Sequence, residues 1–246
     1  MKHFVVFPSA QMERGMTCAR LWMYRGYDAL IGVDEERGMV KSGDILNAAR
    51  NVPRTKEGDL YFPLWCNVPS PFPGYYRVIN DLVTSAFAAG ADLVTCVGDD
   101  MEPPSIPNAP SHCTATEHSL MYFHRFPDGE GVMQCTGDRQ GEVIDGKVNS
   151  ERICGSPTFG KGWWRDAFDG KGPFGDFGFR SFFCDELLGE YAKSKGLLYQ
   201  EPALTILHKH WSWRHMAKQD YHERAQANWG HDKAIYERLK AEGFGA

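Results

Sequence analysis

The hydrophobic and polar positions alternate between two periods along the first hundred residues. Phe4 to Phe7 form a short apolar run that stops at Pro8-Ser9, the pattern of a buried first strand. From about Met12 to Arg25 the apolar residues Met16, Ala19, Trp22 and Met23 recur on one helical face, and Gly26 closes the segment. A second apolar run, Asp28 to Val33, ends at Asp34-Glu35-Glu36, and Ile45, Leu46 and Ala49 predict a short helix over Ser42 to Arg50. Pro63 to Pro73 reads as a proline-rich connection carrying Trp65 and Phe72. The strongest helix of this half spans about Tyr75 to Ala89, with Val78, Ile79, Leu82, Val83, Ala86 and Phe87 on its inner face and Gly90 at its end. It leads into Ala91 to Val97, an apolar strand that stops at Gly98-Asp99-Asp100-Met101-Glu102. Strand and helix in alternation with short connections predict a doubly wound, mostly parallel α/β sheet of the Rossmann-like kind, flanked by helices.

The second half is less regular. Strand-like pieces are read at about 119–124 and 131–136. Between Gly155 and Gly178 glycines interleave with Phe159, Trp163, Trp164, Phe168, Phe174 and Phe177. Two readings stand here: a flexible flap carrying stacking groups, or a surface loop with its aromatics tucked beneath it. Phe183, Leu187 and Tyr191 mark a helix from Phe182 to Lys193 that stops at Gly196, with Asp185 and Glu186 in its first turn, where the helix dipole favours negative charge. Ala203 to Leu207 reads as a late strand running into His208-Lys209-His210, whose two imidazoles would point to one side of an extended chain. The whole is expected to be one domain, with a nucleotide-binding half over about 1–104, an acceptor and metal half over about 105–214, and a helical tail over 215–246.

Composition narrows the class. The chain of 246 residues is 24% charged and has no apolar run approaching the roughly 20 residues of a membrane span, which points to a globular cytoplasmic protein. Its 7 cysteines never fall in a CxxC pair and read as reduced core residues. A net charge of -5 gives no general attraction to nucleic acid or to an anionic membrane. Phe7-Pro8-Ser9-Ala10-Gln11 after the first strand is neither a GxGxxG fingerprint nor a P-loop, which argues against a dinucleotide oxidoreductase or an ordinary ATPase.

The chemistry concentrates at strand ends, where open α/β sheets bind ligands. Adjacent acids such as Asp99 and Asp100 repel unless a cation or solvent screens them, and hard oxygen donors suit Mg²⁺ or Mn²⁺. Taken singly each feature has a plain structural alternative: a solvated acidic turn, a helix start for Asp185 and Glu186, a pair of surface histidines.

Taken in order, however, these features resemble the GT-A class of nucleotide-sugar glycosyltransferases, nearest in layout to the inverting family 2 group. The resemblance covers roughly residues 3 to 240 and is one of layout. It implies a transferase that moves a sugar from a nucleotide diphosphate donor, a uridine diphosphate sugar, to a hydroxyl acceptor with the help of Mn²⁺ or Mg²⁺. It assigns Asp34 to the nucleoside, with Pro8 and Ser9 as further candidates for binding the nucleotide sugar, Asp99 to ribose or metal, and Asp100 to the metal with His208 or His210. It also assigns Trp163 and Trp164 to the donor, and Asp185, with Glu186 as its competitor, to the catalytic base. A strict DxD motif would put its first Asp at Gly98, and the acceptor motif lacks the Glu that should precede Asp185. The segment from Gln226 to Lys233 is also similar to the tail of such enzymes. The acceptor stays open between glycan, small molecule and modified nucleic acid; the basic and aromatic run from His208 to Arg224 suits either a polynucleotide or the donor's own diphosphate. The rival readings are a nucleotidyltransferase, a metal hydrolase using His208 and His210, and a non-catalytic nucleotide-sugar-binding protein.

Overall fold

The computed structural model describes residues 1–34, 63–68, 72–106, 112–136, 143–144, 147–148, 155–209 and 220–243. The first strand, β1 (His3–Ser9), pairs in parallel with β2 (Asp28–Asp34) on one side and with β4 (Leu93–Cys96) on the other. Beyond β2 lies β3 (Leu64–Val68), also parallel. The sheet continues from β4 through β8 (Pro157–Gly160) to β5 (Val132–Thr136) and β9 (Leu198–Thr205). In this 7-stranded order, β3-β2-β1-β4-β8-β5-β9, β8 alone runs antiparallel to its neighbours. A small hairpin, β6 (Val143–Ile144) with β7 (Lys147–Val148), stands apart.

Helices cover both faces, and the strands divide their side chains between them by simple alternation. Phe4, Val6, Leu30 and Val94 face α2 (Tyr75–Ala88), α5 (Cys184–Ser194) and α7 (Trp229–Ala241). Val5, Phe7, Ile31 and Leu93 face α1 (Met12–Met23) and α3 (Ala115–Arg125). The short α4 (Lys161–Asp166) follows β8, and α6 (Asp220–Ala227) precedes α7. No described helix is long and apolar enough to cross a membrane.

Four expectations change. The connection from Pro63 to Pro73 contains β3, whose backbone extends the sheet beside β2. The strand expected at 119–124 is part of α3, because Thr114 and Glu117 close a capping box that starts a helix. The glycine and aromatic stretch is no flap: Phe159, Trp163, Phe168 and Phe174 are buried in the core, and β8 within it sits between β4 and β5. The late strand begins earlier than expected and ends at Thr205, three residues before His208. The helix expected over Ser42 to Arg50 lies outside the described residues. Five cysteines, Cys18, Cys96, Cys113, Cys135 and Cys184, are buried free thiols.

Candidate functional site

Two carboxylate groups gather around the carboxyl end of β4. The first begins where β4 runs out and the chain turns through Gly98, Asp99 and Asp100, with Met101 N–H donating to the Gly98 carbonyl at 3.3 Å. A Cβ at Gly98 would stand 2.5 Å from Asp100 Oδ1, so a larger residue there would push the Asp100 carboxylate out of its present position.

The turn is clamped from two sides. From α1, Trp22 Nε1 donates to the Met101 carbonyl at 3.1 Å. From the chain beyond β9, Lys209 N–H donates to the Asp100 carbonyl at 2.9 Å, and Glu102 N–H donates to Leu207 at 3.0 Å. His208 thereby bridges to Met101 in antiparallel fashion. So the last strand delivers His208 to the acids: its Nε2 lies 3.3 Å from Asp100 Oδ1. Lys209 in turn pairs with Glu102.

All four carboxylate oxygens of the pair meet a protein group. Ser9, at the end of β1, donates its hydroxyl to Asp99 Oδ2 at 2.7 Å. The Arg14 guanidinium, on the first turn of α1, lies 2.8 Å from Asp99 Oδ1 and 3.3 Å from Asp100 Oδ2. His208 takes the fourth oxygen. Burial pushes the Asp99 carboxyl up to about 6, against the opposing pull of Arg14 and the Ser9 hydrogen bond.

The second group sits in the first turn of α5. Asp185 Oδ1 accepts a hydrogen bond from the Tyr76 hydroxyl at 2.8 Å. Glu186 is held far above the ordinary carboxylate range by burial, then by the charge of Asp185 and a hydrogen bond with it. At neutral pH Glu186 is therefore the protonated member.

Tyr75 and Tyr76, adjacent at the start of α2, tie the two groups together. Tyr75 donates to the carbonyl of Val97, just before the Asp99 turn, at 2.8 Å, while Tyr76 holds Asp185. Burial raises the Tyr75 phenol, with Cys96 and the charges of Asp100, Asp185 and Asp99 pushing the same way, so its ring lies within the field of both acid groups. The residue before them, Gly74, has φ 111°, and its missing Cβ lets the Arg180 carbonyl approach to accept from Tyr75 N–H at 2.8 Å.

The loop before α5 is fixed by the C-terminal helix. Asp232, fully buried on α7, accepts from three successive backbone N–H groups, Arg180 at 3.0 Å, Ser181 at 2.7 Å and Phe182 at 2.9 Å. Phe183 then takes a left-handed conformation, φ 68°, and α5 begins.

Of the residues singled out in the sequence, the structure brings Ser9, Asp99, Asp100 and His208 into direct contact and sets Asp185 and Glu186 nearby. Pro8 lies beside Ser9 on β1. Asp34 closes β2, with its side chain outside the described residues, as is the whole of His210. Trp163 is corrected: it is 2% exposed, with its ring against Tyr191 and its indole N–H on the Pro173 carbonyl, and offers no face to a ligand. Trp164 stacks on Phe87 and lines a groove of about 410 Å³ with Arg77, Asp81 and Asp176, along the outer side of α2. Arg14, Tyr75 and Tyr76 carry no motif of their own in the sequence, while Asp232 lies in the Gln226 to Lys233 segment, whose signal did not single it out.

No family model and no curated protein matches this chain. Among solved structures it is similar to A197 from STIV, at 11% identity and a TM-score of 0.40, over 85% of each chain.

Proposed function

We propose that this protein is a glycosyltransferase that moves a sugar from a nucleotide diphosphate sugar, a uridine diphosphate sugar, to a hydroxyl acceptor with inversion, on a GT-A-like sheet. One observation carries the reading: two carboxylate groups lie beside the end of β4, one on a strand-end turn with His208 and one in the first turn of α5, tied to adjacent tyrosines of one helix turn. Sugar transfer needs two separated carboxylate tasks, one at the departing diphosphate and one at the attacking hydroxyl.

On the acceptor side Asp185 is the base. Burial and the neighbouring charge of Asp185 hold Glu186 far above the ordinary carboxylate range, which makes it the weaker candidate for taking a proton from the acceptor hydroxyl and leaves Asp185 as the other acid of the turn. Tyr76 orients the Asp185 carboxylate, and Asp232 orients the loop that launches its helix. On the donor side Ser9 and Asp99 stand at the ends of the first and fourth strands, where the nucleoside and ribose would lie.

The donor types at Asp99, Asp100 and His208, hard oxygens with one imidazole, fit Mn²⁺ or Mg²⁺. Asp100 and His208 would hold the ion, which supplies Lewis-acid stabilisation of the diphosphate as it leaves. Among the described residues no three His, Cys, Asp or Glu side chains are gathered as a ready-made metal centre.

Calorimetric titration of uridine diphosphate with and without Mn²⁺ tests the reading. Asp100→Ala should abolish the metal-dependent part of binding; because it also takes a partner from Arg14 and His208, circular dichroism must show it folded, and Asp100→Asn, which keeps the shape, should give the same loss. Unchanged affinity in that variant would remove Asp100 from the site. Absence of any nucleotide binding by the wild type would end the glycosyltransferase reading.

A further inference from the structure

Arg77, Asn80, Asp81 and Thr84 follow one another at i, i+3, i+4 and i+7 and so share the outer face of α2. The groove of about 410 Å³ that they line has Trp164 of α4 and the loop from Gly170 to Asp176 as its other wall, a size in the range of small-molecule sites. That wall is held in a shape its backbone does not favour. Phe168 and Asp169 are both left-handed, φ 50° and 55°, and Gly170, Gly172 and Gly175 continue the path at φ 78°, 93° and 71°. Asn80 fastens the loop to the helix: its side-chain amide donates to the Gly175 carbonyl at 3.2 Å and accepts from Phe174 N–H at 3.4 Å.

The lining selects a ligand by its chemistry. Asp81 and Asp176 offer carboxylate oxygens that accept hydrogen bonds, Arg77 offers N–H groups that donate them, and none of the three has an ion-pair partner among the described residues. Arg165 is engaged by Asp166, and Lys171 lies over the Phe177 ring at 5.3 Å. A phosphate would face two carboxylates and a metal ion would face the arginine and the lysine, so either meets like charge in the groove. A sugar hydroxyl both donates and accepts, and it satisfies both kinds of group without adding charge. Trp164 supplies the apolar part: Phe87 stacks on its ring at 5.1 Å, its indole N–H reaches the Thr84 hydroxyl at 3.4 Å, and the rest of the half-buried ring lines the groove. A pyranose presents C–H groups of slight positive charge, which suit the negative face of an aromatic ring.

We propose that this groove binds a neutral sugar unit, seated against Trp164 and hydrogen-bonded among Asp81, Asp176 and Arg77. Its place gives it a task. Phe174, in the groove's loop, packs on the Tyr76 ring at 5.4 Å, and its carbonyl accepts from Cys184 Sγ at 3.7 Å. The loop that walls the groove thus also backs the first turn of α5, where Asp185 stands. The bound unit is then part of a glycan acceptor, outward of the unit that reacts; this placement rests on the glycosyltransferase reading, whereas sugar binding by the groove does not.

The test is fluorine NMR on the full chain labelled with 5-fluorotryptophan. The signal missing from Trp164→Phe belongs to Trp164, and those of the other tryptophans report on the fold. The probes are the methyl glycosides of glucose, galactose, mannose and N-acetylglucosamine at millimolar concentration, and inorganic phosphate. At least one glycoside should move the Trp164 signal saturably, and phosphate should not. Asp81→Ala and Arg77→Ala, both exposed on the helix surface, should each weaken that glycoside about tenfold, the equivalent of one hydrogen bond to a charged group. A Trp164 signal that no glycoside moves, or that phosphate moves instead, overturns the proposal, as does wild-type glycoside affinity in both variants. Calorimetry with uridine diphosphate keeps the two readings apart. A chain that binds a glycoside in the groove but no nucleotide upholds the sugar site and removes its acceptor role; a chain that binds the nucleotide while its Trp164 signal ignores every glycoside overturns the sugar site alone.

Discussion

At the scale of single residues the assignment that divides most sharply is Asp185 against Glu186. A sequence that reads Cys-Asp-Glu-Leu offers two acids one position apart, and spacing cannot choose between them. Burial chooses, because it and the neighbouring charge of Asp185 keep Glu186 protonated. Asp185→Asn preserves shape and should lower kcat by roughly 10²–10⁴ while donor affinity holds. Glu186→Gln replaces one neutral group by another and should cost far less. Steady-state kinetics on the two variants side by side decide the matter, and a Glu186→Gln enzyme slower than Asp185→Asn would reverse the roles. That Asp99, Asp100 and His208 share one place was legible in the sequence because each stands just past the end of an apolar run, and neighbouring strands of a sheet bring such ends together. Arg14 was not, since an arginine in the first turn of an amphipathic helix looks like any solvated residue until the turn after β4 is folded against it. Trp163 misled for the converse reason: a tryptophan between glycines suggests an exposed ring, whereas those glycines let the backbone fold the ring inward.

Elements were legible where periodicity was strong and hidden where local chemistry overruled it. α2 follows its pattern almost to the residue, and β4 fills the middle of its apolar run. α3 was hidden, because Ser119 to His124 alone looks strand-like and only Thr114 with Glu117, several residues upstream, starts the helix. β8 was hidden because a four-residue strand in glycine-rich sequence gains its stability from both neighbours in the sheet rather than from its own composition. The tail shows the dependence between elements most directly. Asp232 on α7 gathers the N–H groups of residues 180–182 and so sets the angle at which α5 presents Asp185. Asp232→Asn leaves one oxygen to serve three donors in a buried place, and should destabilise the fold by about 3 kcal/mol. It should also slow turnover, with uridine diphosphate binding little changed, because the donor acids hang from other strands. Urea unfolding measures the first effect and calorimetry the second; a denaturation midpoint equal to wild type would show that the 180–182 turn holds without its carboxylate.

The whole molecule adds a property that neither carboxylate group reveals, its response to acid. Beneath α3 a chain of polar side chains crosses the core: Ser119 Oγ lies 3.0 Å from His3 Nδ1, and His3 Nε2 lies 2.8 Å from Thr95 Oγ1. The chain continues from Thr95 to Thr158 at 2.7 Å, from Thr158 to His118 Nε2 at 3.3 Å, and from His118 Nδ1 to the Tyr27 hydroxyl at 3.0 Å. Burial lowers His118 to about 3 and also lowers His3, whose value the nearby His118 depresses further. Both imidazoles thus stay neutral in the native state well below pH 6.5, where the unfolded chain already charges them, and His118 does so down to about pH 3. Below about pH 6.5 the unfolded state binds these two protons and the native state does not, so each histidine costs about 1.4 kcal/mol of stability per pH unit as pH falls. The raised carboxyls of Asp99 and Glu186 act in the other direction: the native state keeps their protons while the unfolded chain releases them, which favours folding as pH falls toward about 4. Between about pH 6 and 4.5 these two raised carboxyls offset the two histidines, and below about pH 4, where Asp99 and Glu186 are protonated in both states, that offset ends. His118→Gln isolates the histidine cost. That variant should be less stable than wild type at pH 7.5, having lost buried hydrogen bonds, and the gap should close by about 1.4 kcal/mol for each pH unit below 6.5, because its unfolded chain has one fewer proton to gain. Urea titrations at pH 7.5, 5.5 and 4.5 measure the gap directly, and a gap that stays constant across them would mean that His118 carries a proton in the folded core.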